Sequence, residues 1–256
     1  MEKEKYSIET VRHSLSHILA MAVLEMFPEA KLGIGPAIEN GFYYDFELPR
    51  ALSPEDLPIL EEKMKRIINQ DMGFKQVSKT ASKQVSDQSY KQELIDDLQK
   101  AGETISYYET GDFADLCAGP HVESTKFLRS VGWKLDKIAG AYWRGDEKRP
   151  MMQRIYGLAF ETKKGLDEYL KLQEEAKKRD HKKLGRELGL FIMSELVGPG
   201  LPIYTPKGTQ ILRIIKNYSA ELRRSIGYQE VQTPNMNKAE LFKVSGHYDK
   251  YKENMF

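Results

Sequence analysis

Two short stretches gather the side chains best able to do chemistry. His13-Ser-Leu-Ser-His17 is an H-x-x-x-H pattern, and Cys117-Ala-Gly-Pro-His121 is a C-x-x-x-H pattern in a Gly-Pro loop. Together they hold the single cysteine and three of the five histidines. Four nitrogen and sulfur donors in two i,i+4 pairs suit either a zinc tetrahedron or a metal-free hydrolytic pocket. Ser14 stands where a metalloprotease H-E-x-x-H would carry its glutamate, which removes that reading. Alone, the first pattern fits equally well two unrelated histidines that cap or fill a core. The second pattern favours a joint site.

The elements that must position these residues follow from periodicity. At about 100° per residue, Val11, Leu15, Ile18, Leu19, Ala22 and Met26 form one helical stripe. His13 and His17 fall roughly opposite, about 40° apart, near Ala20, Met21 and Leu24. That second face is uncharged, so the helix is expected to be covered on both sides. Ser7 is its predicted N-cap and Pro28 closes it near Phe27. Lys31 to Ile38 reads as a Gly-broken strand, Asn40-Gly41 as a hairpin turn and Phe42 to Phe46 as the return strand. Ser53-Pro54-Glu55-Asp56 opens a helix to about Gln70, with Leu57, Leu60, Met64, Ile67 and Ile68 apolar. Phe74 to Lys79 is a predicted strand, and Ser89 to Lys100 a helix ended by Gly102. Strands at Thr104 to Glu109 and Phe113 to Leu116 flank a Gly111-Asp112 turn. The second runs into Cys117, where a loop can present side chains. Trp133 to Trp143 and Gln153 to Ala159 complete an α+β region of antiparallel sheet with the His helix at its centre.

The 256 residues suit one large or two modest domains, and 40% hydrophobic content provides a core. A net charge of +1 leaves any argument about partners to local patches. One cysteine excludes an internal disulfide and fits a reducing compartment; no apolar run reaches membrane-span length. Thr162 to about Leu188 reads as one long charged helix. It carries Lys177, Lys178, Arg179, Lys182, Lys183 and Arg186 against Asp180, which fits a solvated linker or a phosphate-facing surface equally. Lys207 to Ile226 is an amphipathic helix with Ile211, Leu212, Ile215 and Leu222 apolar. A Gly227 turn and a strand stopped by Pro234 follow.

Longer matches carry a resemblance. Besides His-Ser-x-x-His, they are Asn40-Gly-Phe-Tyr-Tyr-Asp45, Asp115-Leu-Cys-x-Gly-Pro-His121, Gly140-Ala-Tyr-Trp-Arg-Gly-Asp146, the Arg179-Asp-His linker and Ser245-Gly-His247. In this order they resemble the threonyl-tRNA synthetase family along nearly the whole chain. The resemblance implies an editing domain over residues 1–160, a basic linker helix over 161–189 and the opening of a class II catalytic domain, with motif 1, over 190–256. Family motifs 2 and 3, the catalytic zinc ligands and the anticodon-binding domain would lie beyond Phe256. The small ubiquitin-like domain that usually opens bacterial members is also missing. The expectation is therefore a fragment that does not aminoacylate alone.

Such a family faces a discrimination problem. A pocket that accepts threonine rejects serine, one methyl smaller, by only roughly 10–200-fold, so a second site hydrolyses the seryl ester of tRNA. The resemblance places His13, His17, Lys91, Cys117 and His121 in that catalytic site, with Lys91 orienting or activating water. It places Tyr44 and Asp115 against the seryl group or terminal adenosine, and Lys177, Lys178, Arg179, Lys182 and Lys183 against tRNA. No metal is expected in the editing site. Alanyl-tRNA editing domains hold zinc with a similar set, so His13, His17, Cys117 and His121 are the candidate ligands should zinc be present. For the full-length ligase the resemblance implies threonine, tRNA, ATP, Mg2+ and Zn2+, a homodimer built on motif 1, no membrane partner and a cytoplasmic setting. The competing readings are a zinc-dependent alanyl-type deacylase and a non-catalytic tRNA-binding module.

Overall fold

The computed structural model describes residues 6–78, 85 and 88–252. These fall into two compact units that divide between Glu175 and Ala176.

The first unit is α+β with antiparallel sheets. Helix α1 (Ile8–Met26) starts where the Ser7 hydroxyl accepts from the Thr10 amide, and ends as Phe27 N–H reaches the Val23 carbonyl before Pro28. Strands β1 (Lys31–Leu32), β2 (Ala37–Ile38) and β3 (Gly41–Glu47) follow. Then come α2 (Asp56–Asn69), β4 (Lys75–Val77), α3 (Ser89–Ala101), β5 (Tyr107–Thr110) and β6 (Phe113–Leu116). Strands β7 (Gly132–Tyr142) and β8 (Met151–Phe160) lead into α4 (Lys163–Lys178). A five-stranded sheet runs β1-β3-β8-β7, with β2 also on β3, and a three-stranded sheet runs β4-β5-β6.

The alternation of β3 explains the main core. Phe42, Tyr44 and Phe46 point to one face and are fully buried with Leu15, Ile18 and Leu19 of α1 and Leu60, Met64 and Ile67 of α2. Both flanks of α1 are covered: the expected stripe is buried apart from the partly buried Met26, and on the other flank Ala20 and His17 are buried too. Arg12 is buried, and its hydrogen bonds run to backbone carbonyls. Its Nε donates to the Ala159 carbonyl (3.0 Å) and its Nη1 to the Ile38 carbonyl (3.2 Å), tying α1 to the ends of β8 and β2.

Several local expectations are corrected. The β2–β3 turn is Glu39-Asn40, and Gly41 already pairs with Ile38 inside the ladder. Gly41 is required by a neighbour rather than by a turn: a Cβ there would stand 1.9 Å from the Gly157 carbonyl oxygen on β8. Helix α2 begins at Asp56, three residues later than the expected opening at Ser53. The Asp56 carboxylate instead accepts from the Ser53 amide (2.8 Å) and pairs with Arg50 (2.7 Å), which holds Ser53-Pro54 in a preceding turn. The strand expected from Phe74 is Lys75–Val77, and Lys79 lies outside the described residues.

The single charged helix expected from Thr162 to Leu188 is two helices. Asp180 accepts from the Lys183 amide (2.8 Å) as N-cap of α5 (His181–Glu187), so the chain turns between Lys178 and His181. The second unit continues with a two-stranded pair, β9 (Phe191–Ile192) and β10 (Ile203–Tyr204), and with α6 (Pro206–Ser225). Thr205 caps α6, with Pro206 at its first position. Short helices α7 (Ala239–Val244) and α8 (His247–Tyr251) close the unit. On α6, Ile214, Ile215, Tyr218 and Leu222 are each more than half exposed. The strand expected before Pro234 is not formed. Tyr228 to Thr233 has no ladder partner among the described residues, and Val231 is 81% exposed.

Candidate functional site

Helix α1 supplies His13 and His17 one turn apart, on the flank that faces the three-stranded sheet. Strand β6 supplies Asp115 and then Cys117, whose backbone is pinned on both sides by Ser106. Cys117 N–H donates to the Ser106 carbonyl (3.1 Å), and the Ser106 hydroxyl donates to the Cys117 carbonyl (2.8 Å). Gly119 then turns the loop at φ +74°. A side chain at that position would meet the Tyr108 hydroxyl at 2.5 Å, so glycine answers both the conformation and the space. His121 follows, stacked on Phe74 (5.0 Å, 9°) and edge-on to Tyr108 (4.4 Å).

These elements bring His13, His17, Cys117 and His121 to one point, their donor atoms all within 4.8 Å of one another. Cys117 Sγ lies between His13 Nε2 (3.3 Å) and His121 Nε2 (3.2 Å) and accepts from the Gly119 amide (3.2 Å). Ser14, which the sequence marked only as excluding a metalloprotease, fixes the protons. Its hydroxyl donates to the Thr10 carbonyl (2.8 Å) and accepts from the Val122 amide (3.0 Å). With its one proton committed, it can only accept from His121 Nδ1 at 3.2 Å. His121 Nε2 is therefore the bare nitrogen, and the Cys117 thiol is the donor to it.

Lys91, Asp115 and Tyr44 form a second layer, each at most 3% exposed. Tyr44 Oη donates to Asp115 Oδ2 (2.6 Å), and Lys91 Nζ donates to Tyr44 Oη (3.1 Å). Lys91 Nζ also stands 2.5 Å from Asp115 Oδ1, an ion pair by distance that lacks hydrogen-bond alignment and leaves that oxygen without a directed donor. His17 Nε2 lies 3.7 Å from Asp115 Oδ2, and His17 Nδ1 has no partner among the described residues. Gly35 makes room for this layer, since a Cβ there would come within 2.2 Å of the Tyr44 ring.

Burial sets the charge states. It lowers the pKa of His13, opposed by a hydrogen bond from the ring to the Pro120 carbonyl and by Asp115. It lowers His17 well below the usual histidine range, helped by His13 and Lys91, and lowers His121, helped by His17 and His13. The Cys117 thiol is pushed up to about 12, chiefly by burial. At neutral pH the cluster is three neutral imidazoles around a thiol, able to accept protons and poorly able to offer a thiolate. A cavity of about 450 Å³ opens beside it, lined by Thr10, His13, Pro36, Ala37 and the Gly119-Pro120 turn among others. Of the candidate residues, His13 alone reaches that wall.

The four donors suit zinc in type and number, and the unpartnered His17 Nδ1 is a buried polar atom that a metal could satisfy. Lys177, Lys178, Arg179, Lys182 and Lys183 lie at the end of α4 and in and before α5, within the second unit. No helix among the described residues is long and apolar enough to cross a membrane.

Residues 105–156 match the family described as the threonyl and alanyl tRNA synthetase second additional domain, so the chain carries a domain of that class. The match spans Asp115, Cys117 and His121, whereas α1 and Lys91 lie before it. The wider likeness is to threonine–tRNA ligases, over essentially the entire chain. Identity is 50% to the ligase of Gloeobacter violaceus across 100% of this chain and 41% of that protein. It is 51% to those of Acetivibrio thermocellus and Dehalococcoides mccartyi, each across 97% of this chain and across 39% and 43% of those proteins. The resemblance read from the motifs thus stands, and the chain spans about two fifths of the length of the curated relatives it matches.

Proposed function

We propose that this chain carries out proofreading hydrolysis, removing serine from mischarged threonine tRNA. The observation that carries the reading is the convergence of three neutral histidines and Cys117 beside an open cavity, in a chain similar throughout to threonine–tRNA ligases. His13, at the cavity wall, takes the proton from the attacking water. Its lowered pKa keeps it neutral, and so ready to accept, at physiological pH. His17 and His121 hold it in a water-poor setting. Cys117 stays a thiol and orients the imidazoles instead of attacking the ester, because a thiol raised to about 12 supplies little nucleophile. Asp115 and Tyr44 meet the seryl group or the terminal adenosine, and Lys91 orders the water through them. Both are buried, so the substrate meets His13, at the cavity wall, before it reaches them.

The same reading assigns residues 1–160 to the editing domain, 161–189 to a basic linker and 190–256 to the opening of a class II catalytic domain. The linker cations bind tRNA phosphates. In the whole ligase, threonine is joined to tRNA with ATP and Mg2+, a zinc ion sits outside this segment, and the exposed face of α6 pairs with a second subunit. We assign the protein to the cytoplasm on the same basis.

A zinc-dependent alanyl-type deacylase is the second reading, favoured by the donor set and the orphaned His17 nitrogen. Zinc there would acidify a bound water. Three of His13, His17, Cys117 and His121 would hold the ion and leave its fourth position to that water.

Single-turnover deacylation of seryl-tRNA, run alongside thermal melts, tests the main reading. His13→Ala and Lys91→Ala are each expected to cut the rate by about 10²–10⁴-fold, with Cys117→Ala also impaired and tRNA retention little changed. Stably folded His13→Ala protein working at the wild-type rate would refute it. Retention of tRNA without any turnover would leave a binding module.

A further inference from the structure

We propose that Trp143 and Glu93 are positioning residues for Lys91, so that the Gly140–Asp146 motif serves the candidate site without touching it. The proposal rests on the reading above in one respect, that Lys91 takes part in ester hydrolysis.

No residue of this motif lines the cavity beside His13. It forms the end of β7 and a tight turn over Trp143–Gly145, in which Arg144 takes φ +56° and Gly145 φ +72°. A non-glycine residue in the left-handed region costs energy and persists where its surroundings demand it. Here the turn aims two side chains at α3. Trp143 is 3% exposed, packs its ring on Tyr90 (4.8 Å) and shares a small core with Met152. Its Nε1 donates to Glu93 Oε2 (2.9 Å). Arg149, just past the turn, donates to both oxygens of the same carboxylate (2.7 and 3.0 Å). Arg144 reaches one turn further along α3, to Asp97 (2.5 Å).

Helical geometry connects this clamp to the site. Tyr90, Glu93, Leu94 and Asp97 form one stripe of α3, facing the turn. Lys91 and Ile95 lie roughly 100° around the helix and face the three-stranded sheet. Ile95 packs with Ala114 there, and Lys91 meets Asp115 on the same strand. The N-terminal end is tied separately. The buried Gln88 accepts from the Leu32 amide (2.7 Å) and donates to the Ala30 carbonyl (3.0 Å). The helix is thus fixed at its start by β1 and on its outer face by the motif, while its inner face presents one ammonium. That ammonium stands 2.5 Å from Asp115 and 3.1 Å from Tyr44, distances at which a displacement of a few tenths of an ångström changes the contacts. Glu93 is the residue on which the indole and the guanidinium converge.

The test uses the full chain, with seryl-tRNA as substrate in single-turnover deacylation. Trp143→Phe keeps the ring and removes the indole N–H; Glu93→Gln keeps the shape and removes the charge. Each is expected to lower the rate constant about tenfold, as small misplacements of a reacting group do, with the half-saturating protein concentration and the melting temperature essentially unchanged. The distinguishing arm repeats both substitutions on a Lys91→Met background, and on Lys91→Met/Asp115→Asn, which avoids stranding a buried carboxylate. Without the ammonium there is nothing to position, so each further loss should be under about twofold. Wild-type rates in Trp143→Phe and Glu93→Gln overturn the proposal while leaving the Lys91 reading intact. So does a full tenfold loss repeated on the Lys91→Met backgrounds, or a loss that follows the melting temperature. A wild-type rate in Lys91→Met itself overturns the Lys91 reading, and the clamp with it.

Discussion

Acid should destabilise the first unit at a pH well above the carboxylate range. His17 and His121 are buried, and both are held below their usual pKa chiefly by burial, with the neighbouring imidazoles and, for His17, Lys91 acting in the same direction. A base whose folded pKa is depressed binds more protons when unfolded, so stability is whole above about pH 6.5 and falls as pH drops through that value. At pH 5.0 the cost is about 2 kcal/mol for each histidine that stays neutral in the fold, or about 4 kcal/mol for the pair. His13, at the cavity wall, adds less. Carboxylates with lowered pKa values, such as Asp56 and Glu47, lose their contribution only at lower pH and do not enter this window. For a unit of this size the loss corresponds to a melting-temperature fall of about 8–16 °C between pH 7.5 and 5.0. Urea titrations at the two pH values, with chelator present throughout, give the free-energy difference directly. His17→Gln should remove about half of it. A difference below about 1 kcal/mol in the wild-type chain would mean that the imidazoles are not held neutral by burial, and the charge states assigned to the cluster would be wrong.

Four other outcomes are expected. Ser14→Ala strands the Val122 amide and His121 Nδ1 in the core, so unfolding free energy should drop by about 2–4 kcal/mol in denaturant titrations, and single-turnover deacylation should slow as His121 loses its fixed tautomer. Gly35→Ala places a methyl against the Tyr44 ring and should cost about 1–3 kcal/mol by thermal melt; an unchanged melt would mean that the loop shifts freely. Purified protein should contain less than one metal per chain and keep its deacylation rate in chelator, whereas one tightly held zinc and loss of activity on its removal would favour the alanyl-type reading. Reversing Lys177, Lys178, Lys182 and Lys183 to glutamate should weaken tRNA binding and flatten its salt dependence, measured by filter retention at two salt concentrations.

Patterns internal to one element were legible in the sequence. The apolar stripe of α1 predicted its core face, and Phe42 to Phe46 was expected as the return strand that β3 is. Phe113 to Leu116 is a strand with the bounds expected, because the Gly111-Asp112 turn fixes one end and the Gly-Pro loop the other. What depends on a distant neighbour was not legible. Gly41 reads as a turn residue until β8 is alongside. Tyr228 to Thr233 has strand composition but no strand to pair with in the described residues. The break at Asp180 is a capping choice that helical periodicity does not register. The grouping of His13, His17, Cys117 and His121 could be guessed from paired spacings, whereas Lys91 looks like a surface lysine in its own segment. Only β6 beside α3 turns it into a buried partner of Asp115. Ser14 had the weakest signal of all, since a helical serine advertises nothing until its hydroxyl meets another loop.

The two carbonyls that hold Arg12 have a consequence for the order in which the chain is made. Arg12 immediately precedes His13, so its grip on the sheet sets how α1 is rolled and where the imidazole points. One of its acceptors is Ala159, which lies 147 residues later. At about 5–20 residues per second, a ribosome completes that stretch roughly 7–30 s after Arg12 has been added. Until then α1 lacks its anchor on β8, although β6 and the Cys117–His121 loop that face His13 and His17 have already been made. The nascent chain therefore spends many seconds with Arg12 short of one of its two acceptors, and α1 takes its final roll on the sheet only as the strand carrying Ala159 emerges.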